Sequence, residues 1–232
     1  MHEGLLLMKS VPRPPRSAQP ALKAAQKVAS HSAQEVRLIG GRWKRTPLSV
    51  PVVAGLRPTP SRVRETLFNW LGQDMGGWRV LDAFAGSGAL GLEAASRGAA
   101  SVRLLEREPQ LVKALQAVKS RLQADQVQIS QADALGWMRQ HAGSEAFDLV
   151  FLDPPFDDGL FLPALSAAAA CVPEGGWIYL EAPQAYVEAE AEAQPEVPGM
   201  RLHRSGRAGA VHFHLFQRVD DGPGISMATQ GD

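Results

Sequence analysis

The sequence predicts an α/β fold: a mostly parallel sheet sandwiched by helices, an antiparallel hairpin at one sheet edge, and a separate β-hairpin on the amino-terminal side. Three observations carry this. Between Trp78 and Ala182, short apolar runs alternate with segments of helical period, the pattern of parallel strands joined by crossovers. The last two β-leaning stretches, 201–208 and 211–219, lie only a few residues apart and must pair antiparallel. Ahead of the alternation, VRLIGGRWK (36–44) and LSVP (48–51) flank a short turn.

Each element has a local reason. In RPTPSRVRETLFNWL (57–71), Thr59 is a good helix N-cap and Pro60 suits the first helical position, where its missing N–H costs nothing. Val63, Leu67, Trp70 and Leu71 then share one face, with Arg62 and Arg64 beside it. WRVLDAF (78–84) reads as a strand, and SGALGLEAASRG (87–98) as a helix closed by Gly98. Strands follow at 101–106, 127–130, 147–153 and 176–182, with helices at 109–122, 134–141 and 160–172. The stretch 187–199 reads as an acidic surface insertion, and no internal repeat is visible.

Composition bounds the function. A chain of 232 residues with 45% apolar and 21% charged residues supports one sizeable core and excludes wholesale disorder. A single cysteine, Cys171, excludes a disulfide framework or a cysteine-rich zinc site and reads as core. No apolar run approaches the roughly 20 residues of a membrane-spanning helix, so no membrane partner is expected; with the single cysteine this reads as a cytoplasmic protein, and a monomer is expected. Net charge is zero but unevenly spread. Residues 1–64 hold 12 Lys and Arg against two acids, Glu3 and Glu35, while the remainder is acidic by the same margin. Such asymmetry points to a polyanionic partner on the amino-terminal side. The expected layout is a disordered basic tail (1–33), a hairpin-and-helix extension (34–72), a catalytic domain (73–219) and a frayed tail (220–232).

Two motifs carry chemistry. VLDAFAG runs into GSGALG (86–91), where Gly86 and Gly88 permit a sharp turn and a close ligand approach before a helix amino terminus. That string alone also satisfies the dinucleotide pattern. Asp82 before the turn and Glu106 at the end of the next strand decide between ligands: the first would repel a pyrophosphate but suits an ammonium, and the second suits two ribose hydroxyls. The order favours S-adenosylmethionine over NAD. Asp133, after the third strand, is placed for an adenine edge, and is equally a candidate N-cap of 134–141. The second motif is Asp153-Pro154-Pro155-Phe156, closing the apolar strand FDLVFL. The prolines hold the chain extended, so that the Asp153 carboxylate and the Pro154 carbonyl form two converging acceptors for an exocyclic amine, while Phe156 offers a stacking face.

DAFAGSGALGLEAASRG (82–98) with LDPPF (152–156) resembles the S-adenosylmethionine-dependent amino-methyltransferases. IGGRWKRTPLSVP (39–51) with GLRPTPSRVRETLFNWLG (55–72) is similar, more specifically, to the bacterial 16S ribosomal RNA guanine-N2 methyltransferase family, over about residues 36–218. The resemblance implies a Rossmann-like class I methyltransferase fold. It also implies methylation of one guanine in a head-domain hairpin of the small subunit, near the P site, on assembled or partly assembled particles. By motif, Asp82, Phe84, Gly86, Ser87, Gly88, Glu106 and Asp133 would hold the cofactor, and Asp153, Pro154 and Phe156 the target base. Thr59 falls in the family's RPT motif beside the cofactor pocket, although its own sequence context favours the N-cap. Ser61 stands where the family usually has an acid.

Arg42, Lys44 and Arg45 on the hairpin, with Arg57, Arg62 and Arg64, are the candidate phosphate contacts; the alternative for the last three is a solvated helix face. Trp43 reads as hairpin core. His203, His212 and His214 have no metal-ligand spacing, and no metal is expected. Three rivals remain: a DNA adenine-N6 or cytosine-N4 methyltransferase, disfavoured because nearly all structured residues are used by the catalytic fold; an NAD-dependent oxidoreductase, disfavoured by Asp82; and a non-catalytic RNA-binding protein that keeps the fold, disfavoured by the intact Asp153 and both glycines.

Overall fold

Side chains alternate across the central strands, and this alternation builds two cores, one on each face of the sheet. The protein is seen here as a computed structural model that describes residues 36–48, 51, 59–155, 159–186, 197 and 199–219. The two expected tails, most of the acidic insertion, and the predicted site residues Arg57 and Phe156 lie outside the described residues.

The amino-terminal hairpin pairs β1 (Val36–Arg37) with β2 (Pro47–Leu48), shorter than the apolar runs suggested. Helix α1 (Ser61–Leu71) follows. The main sheet comprises β3 (Arg79–Asp82), β4 (Ser101–Glu106), β5 (Val127–Gln131), β6 (Leu149–Leu152), β7 (Trp177–Ala182), β8 (Met200–Ala208) and β9 (Val211–Arg218). Its spatial order is β5-β4-β3-β6-β7-β9-β8. Strands β3 to β7 are parallel, and β9 returns antiparallel to β7 with β8 on the edge. The chain winds outward on one side of β3 and then crosses to the other, so the topological switch that opens a ligand crevice lies at the carboxyl ends of β3, β4 and β6.

On one face Val80, Leu104, Phe151 and Tyr179 meet α1, α2 (Gly91–Ser96) and α3 (Pro109–Leu122). On the other, Leu81, Leu105, Val150 and Leu180 meet α4 (Ala134–His141) and α5 (Phe161–Ala169). Helices α3 and α4 and strand β4 have the bounds their sequence patterns predict. Helix α2 is shorter than expected, because 86–90 is turn and not helix, yet Gly98 closes it as foreseen, at φ 99°. Cys171 is core, its thiol pushed up to about 11 by burial. Among the described residues no helix is long and apolar enough to cross a membrane.

The hairpin docks on the end of α2. Ser96 accepts from the Arg42 N–H through its carbonyl (2.8 Å) and from the Trp43 N–H through its hydroxyl (2.9 Å), and that hydroxyl donates to the Gly40 carbonyl (2.7 Å). Gly41, at φ 68°, lies so close to Ser96 that a Cβ would overlap its backbone. Trp43 is half-buried against the core, as read, with the Arg42 guanidinium 4.3 Å above its ring.

Two expectations fail at α1. Thr59 is not the N-cap: Pro60 holds that position, no side chain caps the helix, and the Thr59 hydroxyl turns instead toward Asp153. Arg64 is not on a solvated face and cannot meet phosphate in this arrangement. It is 2% exposed, bonded to the carbonyls of Thr59 (3.3 Å) and Arg37 (3.0 Å), because the helix rotates Val63, Arg64, Leu67 and Phe68 inward together. Its charge is met by Glu93 of α2, which is fully buried. Glu93 also accepts from Arg97 Nε and from the Ile39 N–H, each at 2.8 Å, so one carboxylate ties hairpin, α1 and α2 together. Removing one partner of such a buried cluster costs roughly 3–5 kcal/mol. Glu93→Ala should therefore lower unfolding free energy by about that much in a denaturant titration. Hydrogen exchange should show the Ile39, Arg42 and Trp43 amides losing protection before those of β3 and β4.

Candidate active site

The predicted residues collect where the parallel strands end. Asp82 is the last residue of β3, Glu106 the last of β4, and Asp153 follows β6 by one position. The glycine turn is built on the two acids. Asp82 Oδ2 accepts from the Gly91 N–H (2.9 Å), and Glu106 accepts from the Gly86 N–H and the Glu108 N–H, each at 2.8 Å. Gly88, at φ 76°, packs between Leu92 and Leu115 with no room for a Cβ. Ser87 and Phe84 are half-buried on either side of Ala85 and Gly86.

Asp82 is 2% exposed, beneath the turn and not open to the crevice. Burial, with the nearby Glu106 charge, raises its pKa to about 7 against the Gly91 and Phe84 N–H groups that favour the anion. Glu106 is only half-buried, and each oxygen keeps a lone pair beyond the backbone bond it already accepts. Asp133 is exposed and caps α4, accepting from the Gly136 N–H at 2.7 Å, so its cap role is real. A turn flanked by two carboxylates, neither of them paired with a cation among the described residues, disfavours phosphates. It fits a ligand with hydroxyls and a positive charge, as S-adenosylmethionine has.

At the second motif Asp153 is half-buried and Pro154 buried. The Thr59 hydroxyl donates to Asp153 Oδ2 at 3.4 Å, and no described residue donates to the Pro154 carbonyl. Burial, then the charges of Glu181 and Asp82, holds the Asp153 carboxyl well above the usual carboxylate range. Glu181 is a residue that sequence reasoning missed. It is 3% exposed on β7, accepts from the Tyr179 hydroxyl at 2.9 Å, and is itself raised, chiefly by burial. Its one sequence signal is an acid inside the otherwise apolar strand GWIYLEA.

A cleft of about 620 Å³ opens beside Thr59, between the hairpin and the start of α1, with Arg37, Arg45 and Glu65 on its walls. Arg42, Lys44, Arg45 and Arg62 are exposed, as a phosphate-contacting front requires. His214 is buried and neutral, its pKa lowered to about 4 by burial, and its Nε2 accepts from the Tyr186 N–H.

A family model described as conserved hypothetical protein 95 matches residues 36–217. Ribosomal RNA small subunit methyltransferase D of Escherichia coli (strain K12) is 41% identical over 199 residues, spanning 84% of this chain and 97% of that one. Its Haemophilus influenzae counterpart of the same name is 39% identical over 188 residues, or 79% and 94% of the two chains. The chain belongs to this family. A solved structure described as "Putative methyltransferase yhhF from Escherichia coli" superposes with a TM-score of 0.68 at 36% identity, covering 80% of this chain and 98% of that one. The mostly parallel sheet with its antiparallel edge is thus the class I methyltransferase fold that the sequence predicted.

The buried charge at Asp82 leads to a stability test. A folded-state pKa raised from 3.8 to about 7 means that the neutral carboxyl stabilises the fold below about pH 4, and that this stabilisation is lost as pH rises toward 7. Asp82→Asn keeps an acceptor for Gly91 and removes the charge. Its melting temperature should exceed that of the wild type by a few degrees at pH 8 and match it at pH 4, as read by calorimetry at both pH values.

Proposed function

We propose that this chain transfers the methyl group of S-adenosylmethionine to the exocyclic N2 amine of one guanine in 16S ribosomal RNA, acting as a cytoplasmic monomer on the small subunit or an assembly intermediate. The observation that carries this is the placement of Asp153, beside a Pro154 carbonyl to which no described residue donates, at the end of the strand next to the acid-flanked glycine turn. When bound, S-adenosylmethionine supplies an electrophilic methyl on a sulfonium. Glu106 would take the ribose hydroxyls, Gly86, Ser87 and Gly88 the close backbone approach, and Asp133 and Phe84 the adenine side. Asp82 would act from beneath the turn, supporting it and lending negative potential toward the ammonium.

The target guanine, turned out of its stack, would enter with its N2 amine facing Asp153 and the Pro154 carbonyl. Two N–H donors meeting two acceptors orient the nitrogen lone pair and enrich it in electron density. Phe156 is assigned the base-stacking role on its motif alone. Positioning and electrostatics then supply the acceleration, with no covalent enzyme intermediate. Residues 34–72 are the RNA-facing part in this reading, with Arg42, Lys44, Arg45 and Arg62 as phosphate contacts and Arg57 retained from the sequence alone.

Asp153→Ala should leave S-adenosylhomocysteine affinity within about twofold while lowering methyl transfer to 30S particles from cells lacking the enzyme by at least about 10²-fold. Retained transfer by that variant sinks the assignment, and efficient transfer by the wild type to duplex DNA but not to 30S particles favours the DNA reading. The exposed hairpin cations make a separate prediction. In Lys44→Gln/Arg45→Gln, the slope of log affinity for RNA against log salt should become shallower by about 1.4–1.8, the value for two phosphate contacts.

A further inference from the structure

Asp153 does not stand alone at the end of its strand. Leu152 pairs with Leu180 in parallel register, so one step further Asp153 stands beside Glu181, on strands about 4.8 Å apart. Phe151 and Tyr179, two residues earlier on each strand, belong to the core under α1, and the alternation of side chains sends both acids to that same face. Thr59 arrives there from the start of α1, 6% exposed, with its hydroxyl on Asp153 Oδ2 and near enough to Glu181 to favour its charged form as well. Behind Glu181, the Tyr179 hydroxyl donates at 2.9 Å.

Counting protons decides the direction of this chain. One hydroxyl hydrogen cannot be donated to two carboxylates, and two acids packed side by side retain a proton between them. The anion belongs on the better solvated member, and Asp153 is half-buried whereas Glu181 is 3% exposed. Of the other groups facing the pair, Asp82 disfavours charge on Asp153, while the Tyr179 hydroxyl and Arg64 favour charge on Glu181, Arg64 being already met by Glu93 and two backbone carbonyls.

We propose that Thr59 and Glu181 are positioning residues for the transfer step: Glu181 keeps the shared proton and donates it to the Thr59 oxygen, and Thr59 donates in turn to Asp153 Oδ2. The inference rests on the reading of Asp153 as the group that grips the amine. Tyr179 donates to Glu181 at 2.9 Å and Thr59 to Asp153 at 3.4 Å, and the proposed Glu181 proton would link the two into one direction. Oδ2 is thereby occupied, and Oδ1 is left, in a fixed plane, for the incoming N–H. In the step itself the amine lone pair forms the bond to the methyl carbon, the pair of the breaking S–C bond returns to sulfur, and Asp153 takes the proton that nitrogen releases. Thr59 also joins the amino-terminal extension to Asp153, across a contact of 3.4 Å.

The test uses the full chain, methyl transfer to 30S particles from cells lacking the enzyme, and S-adenosylhomocysteine calorimetry as a folding control. Thr59→Val should lower kcat by about 10–100-fold, the scale of a lost partner that orients a site residue, with KM for particles nearly unchanged, and Thr59→Ser should restore most of it. Glu181→Leu should fall in the same way. Glu181→Gln, which still donates toward Thr59, should recover most of that loss and leave the acid limb of the pH–rate profile where the wild type has it. A Thr59→Val enzyme with wild-type kcat, or an acid limb displaced to lower pH in Glu181→Gln, overturns the proposal, the second because it would put the charge on Glu181. If the wild type itself transfers nothing to the particles, the functional reading fails and not this inference alone.

Discussion

The crowding of carboxylates at one edge of one sheet face is the constraint on which this structure turns. Asp82, Asp153 and Glu181 leave adjacent strands β3, β6 and β7 on one face of the sheet, Asp82 and Glu181 nearly without water and Asp153 half-buried. Like charges in such a place are unfavourable, and the surrounding residues answer each one differently. Backbone N–H groups of the glycine turn serve Asp82, and hydroxyls from Thr59 and Tyr179 serve Asp153 and Glu181. The arrangement costs stability where it prepares a site for a cationic methyl donor, a trade common where function is built from strained or desolvated groups.

The amino-terminal extension is part of this solution and not an appendage. Phe68 of α1 packs edge-on to Phe151 at 6.1 Å between ring centroids, and Trp70 lies 5.3 Å from Phe213, so α1 closes the core that carries the acids. Glu93 then fastens hairpin and α1 to α2. A boundary at residues 72–73 therefore divides the chain by topology, whereas the packing treats both sides as one body. On the function proposed above, an extension that meets RNA with its exposed face and Asp153 with its buried one would couple recognition to chemistry through a few ångströms of structure.

Much of this was legible in advance because it is local. The glycine turn, the Asp-Pro-Pro motif, the alternation of strand and helix, and the antiparallel edge each follow from residues close in sequence. What escaped were long-range pairings. Thr59 looked like a cap because the residues around it suit one, yet an acid 94 positions away claims its hydroxyl. Arg64 looked solvated because arginines beside a helix start usually are, but Glu93 and two carbonyls make burial affordable. Glu181 drew no notice because a single acid in an apolar strand has meaning only once the strand beside it is known.

By itself, then, the sequence determined the fold class, the family and the kind of chemistry, since backbone permissiveness at Gly86 and Gly88 and the chemistry of Asp153-Pro154 are properties of short segments. Only the tertiary structure decided which polar groups share a desolvated space. Parallel register sets Asp153 beside Glu181, and the rotation of α1 chooses Thr59 and Arg64 for the interior. Electrostatics between buried groups depends on separation in space and on exclusion of water, and neither is written along the chain.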